Sequence, residues 1–114
     1  MTAFPKRQAY RNPAILKSAK GEDCTIVSPW CSHDNTTVVF CHLNESYAGK
    51  GAKLKADDIA GFYGCHVCHS LYDGAEPPPE PYHARGMWEM DRDWYVLRAY
   101  YRTIRRLIDK GVLR

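Results

Sequence analysis

The clearest hydrophobic pattern in the chain lies near its end, where Trp94, Leu97, Tyr101, Ile104 and Ile108 recur at alternating three- and four-residue intervals. That is the spacing of one helical face, and it predicts an amphipathic helix over roughly residues 91–110, stopped by Gly111. The aromatic and aliphatic stripe reads as its core side. Arg98, Arg102, Arg105 and Arg106 fall largely off the stripe and are available to a partner. Near the start, Asn12-Pro13 reads as a helix cap and first helical position. Ala14, Ile15, Leu16 and Ala19 then supply an apolar side as far as Gly21.

Between these helices the pattern shortens. Residues 24–27 and 36–43 read as strands, joined by turn material at Ser28-Pro29-Trp30-Cys31 and over 32–35. They predict a hairpin of 24–27 against 38–42, with cysteines at its base. Residues 44–55 form a basic, glycine-bearing loop with Lys50, Lys53 and Lys55, and 59–64 is a short apolar segment. Residues 66–73 predict a helix that Gly74 terminates. Glu76-Pro77-Pro78-Pro79-Glu80-Pro81 fits neither a regular helix nor a central strand, and 76–82 reads as a stiff extended spacer. Short strands beside separate helices make the expected class α+β.

At 114 residues the expectation is one domain over 1–114, its core about 21–75, small enough for a metal staple to matter to stability. No run reaches the roughly 18 apolar residues of a membrane span, and the start lacks a signal peptide's apolar segment. A cytoplasmic setting is therefore expected, where clustered thiols favour metal over disulfides. The formal charge of +3 conceals basic ends around an acidic, cysteine-rich centre. That distribution suits a protein that grips phosphates and holds cations, and equally suits two solvated helix faces.

The chemistry concentrates in the centre. Cys24 and Cys31, with Cys65 and Cys68, form two pairs that can supply the four thiolates of a closed, structural zinc site. The alternative is that some are buried free thiols. Cys41 is the spare. His42 ends a strand between the pairs, and histidine suits the task of taking a proton from water. His69 and Asp73, four apart on one helix face, can hold a catalytic divalent ion such as Mg²⁺ while leaving positions open for substrate oxygens. Lys50, Lys53 and Lys55 suit tracking of a phosphate backbone, as do Arg98, Arg102, Arg105 and Arg106.

The order of hairpin, strand-end histidine and Cys-x2-Cys-His helix resembles that of HNH, or ββα-metal, nucleases. More closely, the sequence is similar to the YbcO-like family of phage and prophage proteins, relatives of the RecA-dependent phage nuclease Ref. The stretches that carry this are Gly21-Glu22-Asp23-Cys24, Thr37-Val38-Val39-Phe40-Cys41-His42-Leu43, Gly49-Lys50-Gly51-Ala52-Lys53, Ala56-Asp57-Asp58 and Gly64-Cys65-His66-Val67-Cys68-His69-Ser70-Leu71-Tyr72-Asp73-Gly74, with 107–113 similar to the family's end. The resemblance implies a zinc-stapled ββα-metal core between an N-terminal helix and a long C-terminal helix. It implies a DNA endonuclease acting in phage or prophage recombination or processing, with DNA and a recombinase filament as partners. His42 falls at the general base and His69 at the metal ligand after the last cysteine. Cys41 stands where other HNH enzymes often place a metal-binding Asp or His, so Asp73 or Asp58 would replace that ligand. The alternative is a non-catalytic zinc module that binds DNA or a recombination protein.

Overall fold

A computed structural model describes residues 8–51, 54–74 and 87–113, with side chains from 91 onward in the last segment. The 76–82 spacer and Lys53 lie outside the described residues. The architecture is small α+β. Helix α1 (Pro13–Lys17) is followed by strand β1 (Val39–His42), strand β2 (Gly61–Gly64), helix α2 (His66–Asp73) and helix α3 (Met87–Asp109), with single 3-10 turns at Asn35–Thr37 and Ser46–Ala48.

The caps follow from the residues. Asn12 accepts a hydrogen bond from the Ala14 amide, with Pro13 in the first turn, and Ile15 anchors α1 by complete burial. Helix α2 opens on Cys65, whose sulfur accepts from the Cys68 amide, and closes on Gly74 at φ 71°, a left-handed position glycine enters without strain.

The hairpin differs from the expected one. Residues 24–27 form no strand; β1 instead pairs antiparallel with β2, Val39 opposite Gly64 and His42 opposite Gly61. A Cβ at Gly61 would overlap the Cys41 carbonyl and the Phe40 ring, and one at Gly64 would sit 2.8 Å from the Cys41 sulfur. The two glycines therefore permit the close approach of the strands. Residues 24–26 still lie beside the sheet, because the Thr25 amide donates to the Tyr63 carbonyl at 2.9 Å.

Strand alternation divides the neighbours of this small sheet. Cys41 and Phe62 share one face, where Tyr72 of α2 meets Phe62 edge-on at 5.1 Å between ring centroids. Phe40, His42 and Tyr63 share the other, with Phe40 edge-on to His42 at 5.2 Å. The Tyr63 hydroxyl reaches Ser18 just after α1 at 2.7 Å.

Helix α3 starts earlier than expected and buries a different face. Ala99, Thr103 and Leu107 are its buried residues, with Tyr95 and Val96 packed against the core. Four of the five stripe residues expected inside are exposed instead, Trp94, Leu97, Tyr101 and Ile108 at 59%, 68%, 66% and 45% accessible, while Ile104 is half-buried. The reason is the closeness of α3 to β2. Thr103 Oγ1 accepts the Tyr63 amide at 3.2 Å and meets Thr25 Oγ1 at 3.0 Å, contacts only small side chains on that face permit. Among the described residues no helix is long and apolar enough to cross a membrane.

Candidate metal centre and active site

The four cysteines converge. The sulfurs of Cys24, Cys31, Cys65 and Cys68 all lie within 4.8 Å of one another, and none is in a disulfide. Zn–S bonds of about 2.3 Å in a tetrahedron put sulfurs about 3.8 Å apart, the separation of Cys31 and Cys65, at 3.8 Å. The donor chemistry fits a soft or borderline cation such as zinc, in a closed site with no open position. Backbone amides support the sulfurs, His33 donating to Cys31 and Cys68 to Cys65, each at 3.4 Å. These turns require unusual backbone: Val27 and His33 have φ of 47° and 55°, and a β-branched residue there is strained. Arg98 holds that strain in place by donating to the carbonyls of Ile26 and Val27 at 2.9 and 3.3 Å.

Contacts within the cluster shift the thiols. A hydrogen bond with Cys68 brings Cys24 down to about 5, against the opposing effect of burial. The same bond pushes Cys68 up, and burial pushes Cys31 up to about 11. Cys41 lies outside the cluster, almost wholly buried, and burial drives its thiol far above the usual value.

At the far end of β1, His42 Nε2 lies 2.9 Å from Asp58 Oδ1. Asp58 is 2% exposed and also accepts from the Asn12 amide at 2.7 Å, with the Arg11 guanidinium at 3.5 Å. Burial opposes ionisation, but the hydrogen bonds from His42 and Asn12 hold the Asp58 carboxyl below its usual range. An ionised carboxylate only accepts, so His42 carries a proton on Nε2, and in the neutral ring the lone pair is then on Nδ1. The sequence offers Asp58 as a replacement metal ligand; in the structure its carboxylate is hydrogen-bonded to His42.

His69 and Asp73 meet at 3.0 Å across one turn of α2, and Asn44, two residues past His42, donates to the other Asp73 oxygen at 3.0 Å. Among the described residues the four thiols are the one group of three or more metal-type donors; His69 and Asp73 supply two. A carboxylate with an imidazole suits an ion that completes its shell with water and substrate oxygens. Asn44 and Arg11 were missed by sequence reasoning, since neither stands at a spacing that ties it to a partner 29 or 47 residues away.

The basic candidates divide. Lys50 and Lys55 are exposed on the loop before β2. Arg98 is committed to the Cys24 turn, Arg105 pairs with Asp109 at 3.1 Å, and Arg106 pairs with Glu22 at 2.6 Å. Arg102 is exposed, and among the described residues no acid lies within ion-pair distance of it.

Comparison with curated proteins and with solved structures yields no match. A family model does match, over residues 13–112, which takes in every element described above and all four clustered cysteines. The chain therefore belongs to the family described as "Putative nuclease YbcO".

Proposed function

We propose that the chain is a metal-dependent DNA endonuclease of HNH type, hydrolysing phosphodiester bonds in phage or prophage DNA recombination or processing. The observation that carries this reading is the His42–Asp58 pair, an imidazole oriented by a buried carboxylate at the end of the first strand of a β–β–α succession. Nδ1 of His42 takes the proton from water as its oxygen attacks phosphorus, and the phosphorus–oxygen bond to the leaving group breaks. His69 and Asp73 would hold the divalent ion, which when bound stabilises charge on the phosphoryl and leaving oxygens. Cys24, Cys31, Cys65 and Cys68 would hold a structural zinc, and Lys50, Lys53, Lys55 and Arg102 would position the DNA backbone.

The test uses the full chain with zinc in place, on single-stranded, duplex and branched DNA, with added Mg²⁺ or Mn²⁺, alone and with a recombinase filament. His42→Ala should lower cleavage by about 10²–10⁴-fold with DNA affinity and zinc content unchanged, because a positioned base contributes to that order. His69→Ala should also lose cleavage, partly restored by excess divalent ion. Cleavage by His42→Ala at the wild-type rate would refute the proposed mechanism. A wild-type chain that binds DNA and cuts none of these substrates would be a non-catalytic zinc module.

A further inference from the structure

The exposed stripe of α3 calls for an occupant, because helix faces carrying large apolar rings are normally covered. Beside it runs a groove of about 540 Å³ between α3 and the cysteine turns, bordered by Tyr101, Arg102, Arg105 and Arg106 on one side and by Val27, His33 and Asn35 on the other. Asp23 is the acid in its lining, and it and the neighbouring acids Glu22 and Asp109 are already engaged. Glu22 takes Arg106 and Lys110, Asp109 takes Arg105, and Asp23 accepts from Asn35 at 2.7 Å and lies 4.0 Å from Arg106. Of the groove's three arginines, Arg102 is the one with no acid within ion-pair distance among the described residues, and it stands next to the exposed ring of Tyr101. One turn earlier, the Arg98 guanidinium already lies 4.6 Å over the Trp94 ring.

We infer that this groove binds a single-stranded polynucleotide, a phosphate on Arg102 and an unpaired base stacked on Tyr101. Two features select that occupant. A symmetric second copy centred on this groove would bring the unpaired Arg102 of both copies together, and like charges repel. A duplex presents phosphates but keeps its base faces stacked inside, leaving Tyr101 nothing to stack on. An unpaired strand offers negative charge and apolar faces in alternation, as the helix face offers cations and rings. The groove takes in Cys24 and no residue of β1, the strand that His42 ends. A strand reaching both would be held apart from the point of attack. This inference rests on the nuclease reading for its context, but its test measures binding.

The experiment is fluorescence anisotropy with a labelled oligothymidylate strand, its RNA counterpart and a matched duplex, using full-length zinc-loaded chain made cleavage-deficient by His42→Ala. The single strand should bind more tightly than the duplex, and the preferred sugar identifies the natural strand. Tyr101→Ala should weaken single-strand binding about tenfold while Tyr101→Phe keeps it, as stacking on a ring predicts. Arg102→Ala should flatten the salt dependence by about one counterion. Tyr101 is largely exposed, so these variants should fold and keep zinc, which circular dichroism and metal analysis check. Equal binding by Tyr101→Ala and its parent would overturn the inference and leave the His42 chemistry standing. A concentration-dependent dimer that Tyr101→Ala dissociates, with strand binding unchanged, would assign the face to a second copy instead.

Discussion

Asp58 carries more than its place in the sequence suggests. Its carboxylate accepts from His42, from the Asn12 amide and from Arg11, so one buried group joins the start of α1 to the end of β1. Asp58→Asn should therefore act twice. An amide can donate as well as accept, so His42 is no longer held in one tautomer, and cleavage should drop by at least about tenfold while zinc content stays the same. Stability should fall by about 1–3 kcal/mol for a hydrogen bond to a buried charge. The pH dependence has a definite sign. Asp58 ionises at lower pH folded than unfolded, so its contribution is complete above its ordinary value of 3.8 and is lost as pH falls below it through the folded value. Glu22, lowered by Lys110 and Arg106 against burial, behaves alike from 4.5 downward. The gap in denaturant midpoint between wild type and Asp58→Asn should narrow as pH falls below 3.8. A gap that stays constant to pH 3 would sink the electrostatic account.

Among elements, α3 shows what periodicity misses. Counting large apolar residues selects Trp94, Leu97, Tyr101, Ile104 and Ile108, of which Ile104 alone is half-buried and the rest exposed, whereas the buried face is built on Ala99, Thr103 and Leu107. Close helix–strand approach demands small residues, and the hydrogen bonds of Thr103 are invisible to a hydropathy pattern. Thr103→Val keeps the shape but leaves the Tyr63 amide and the Thr25 hydroxyl without that partner, costing about 1–3 kcal/mol. A thermal melt should show a loss of several degrees, with Thr103→Ser largely restoring it; an unchanged midpoint would make the contact incidental. The helices α1 and α2 were legible because Asn12-Pro13 and Gly74 are local signals acting within a turn. Strand pairing was not, because β2 is the glycine-flanked Gly61-Phe62-Tyr63-Gly64, whose fitness for a strand depends on the approach of Cys41 and Phe40. The convergence of the cysteines followed from their pairing in sequence. The partnership of His42 with Asp58 did not, since nothing local links a strand end to a residue 16 positions on.

At the scale of the molecule, the four sulfurs tie residues on either side of β1 and β2 into one cluster. Metal binding and folding should then be one event, and a strong chelator should unfold a chain that carries about one zinc. The same arrangement makes the chain divisible. The exposed loop at Lys50 and Lys55 separates a piece bearing Cys24 and Cys31 from one bearing Cys65 and Cys68. A single proteolytic nick there should leave two fragments, each owning half of the coordination sphere, that travel as one species in gel filtration and part when chelator is added. Fragments that part with zinc still present would show that the cluster does not bridge them. If they hold together, the metal is a removable rivet, and two separately made halves of this chain could be assembled or released by the free zinc concentration alone.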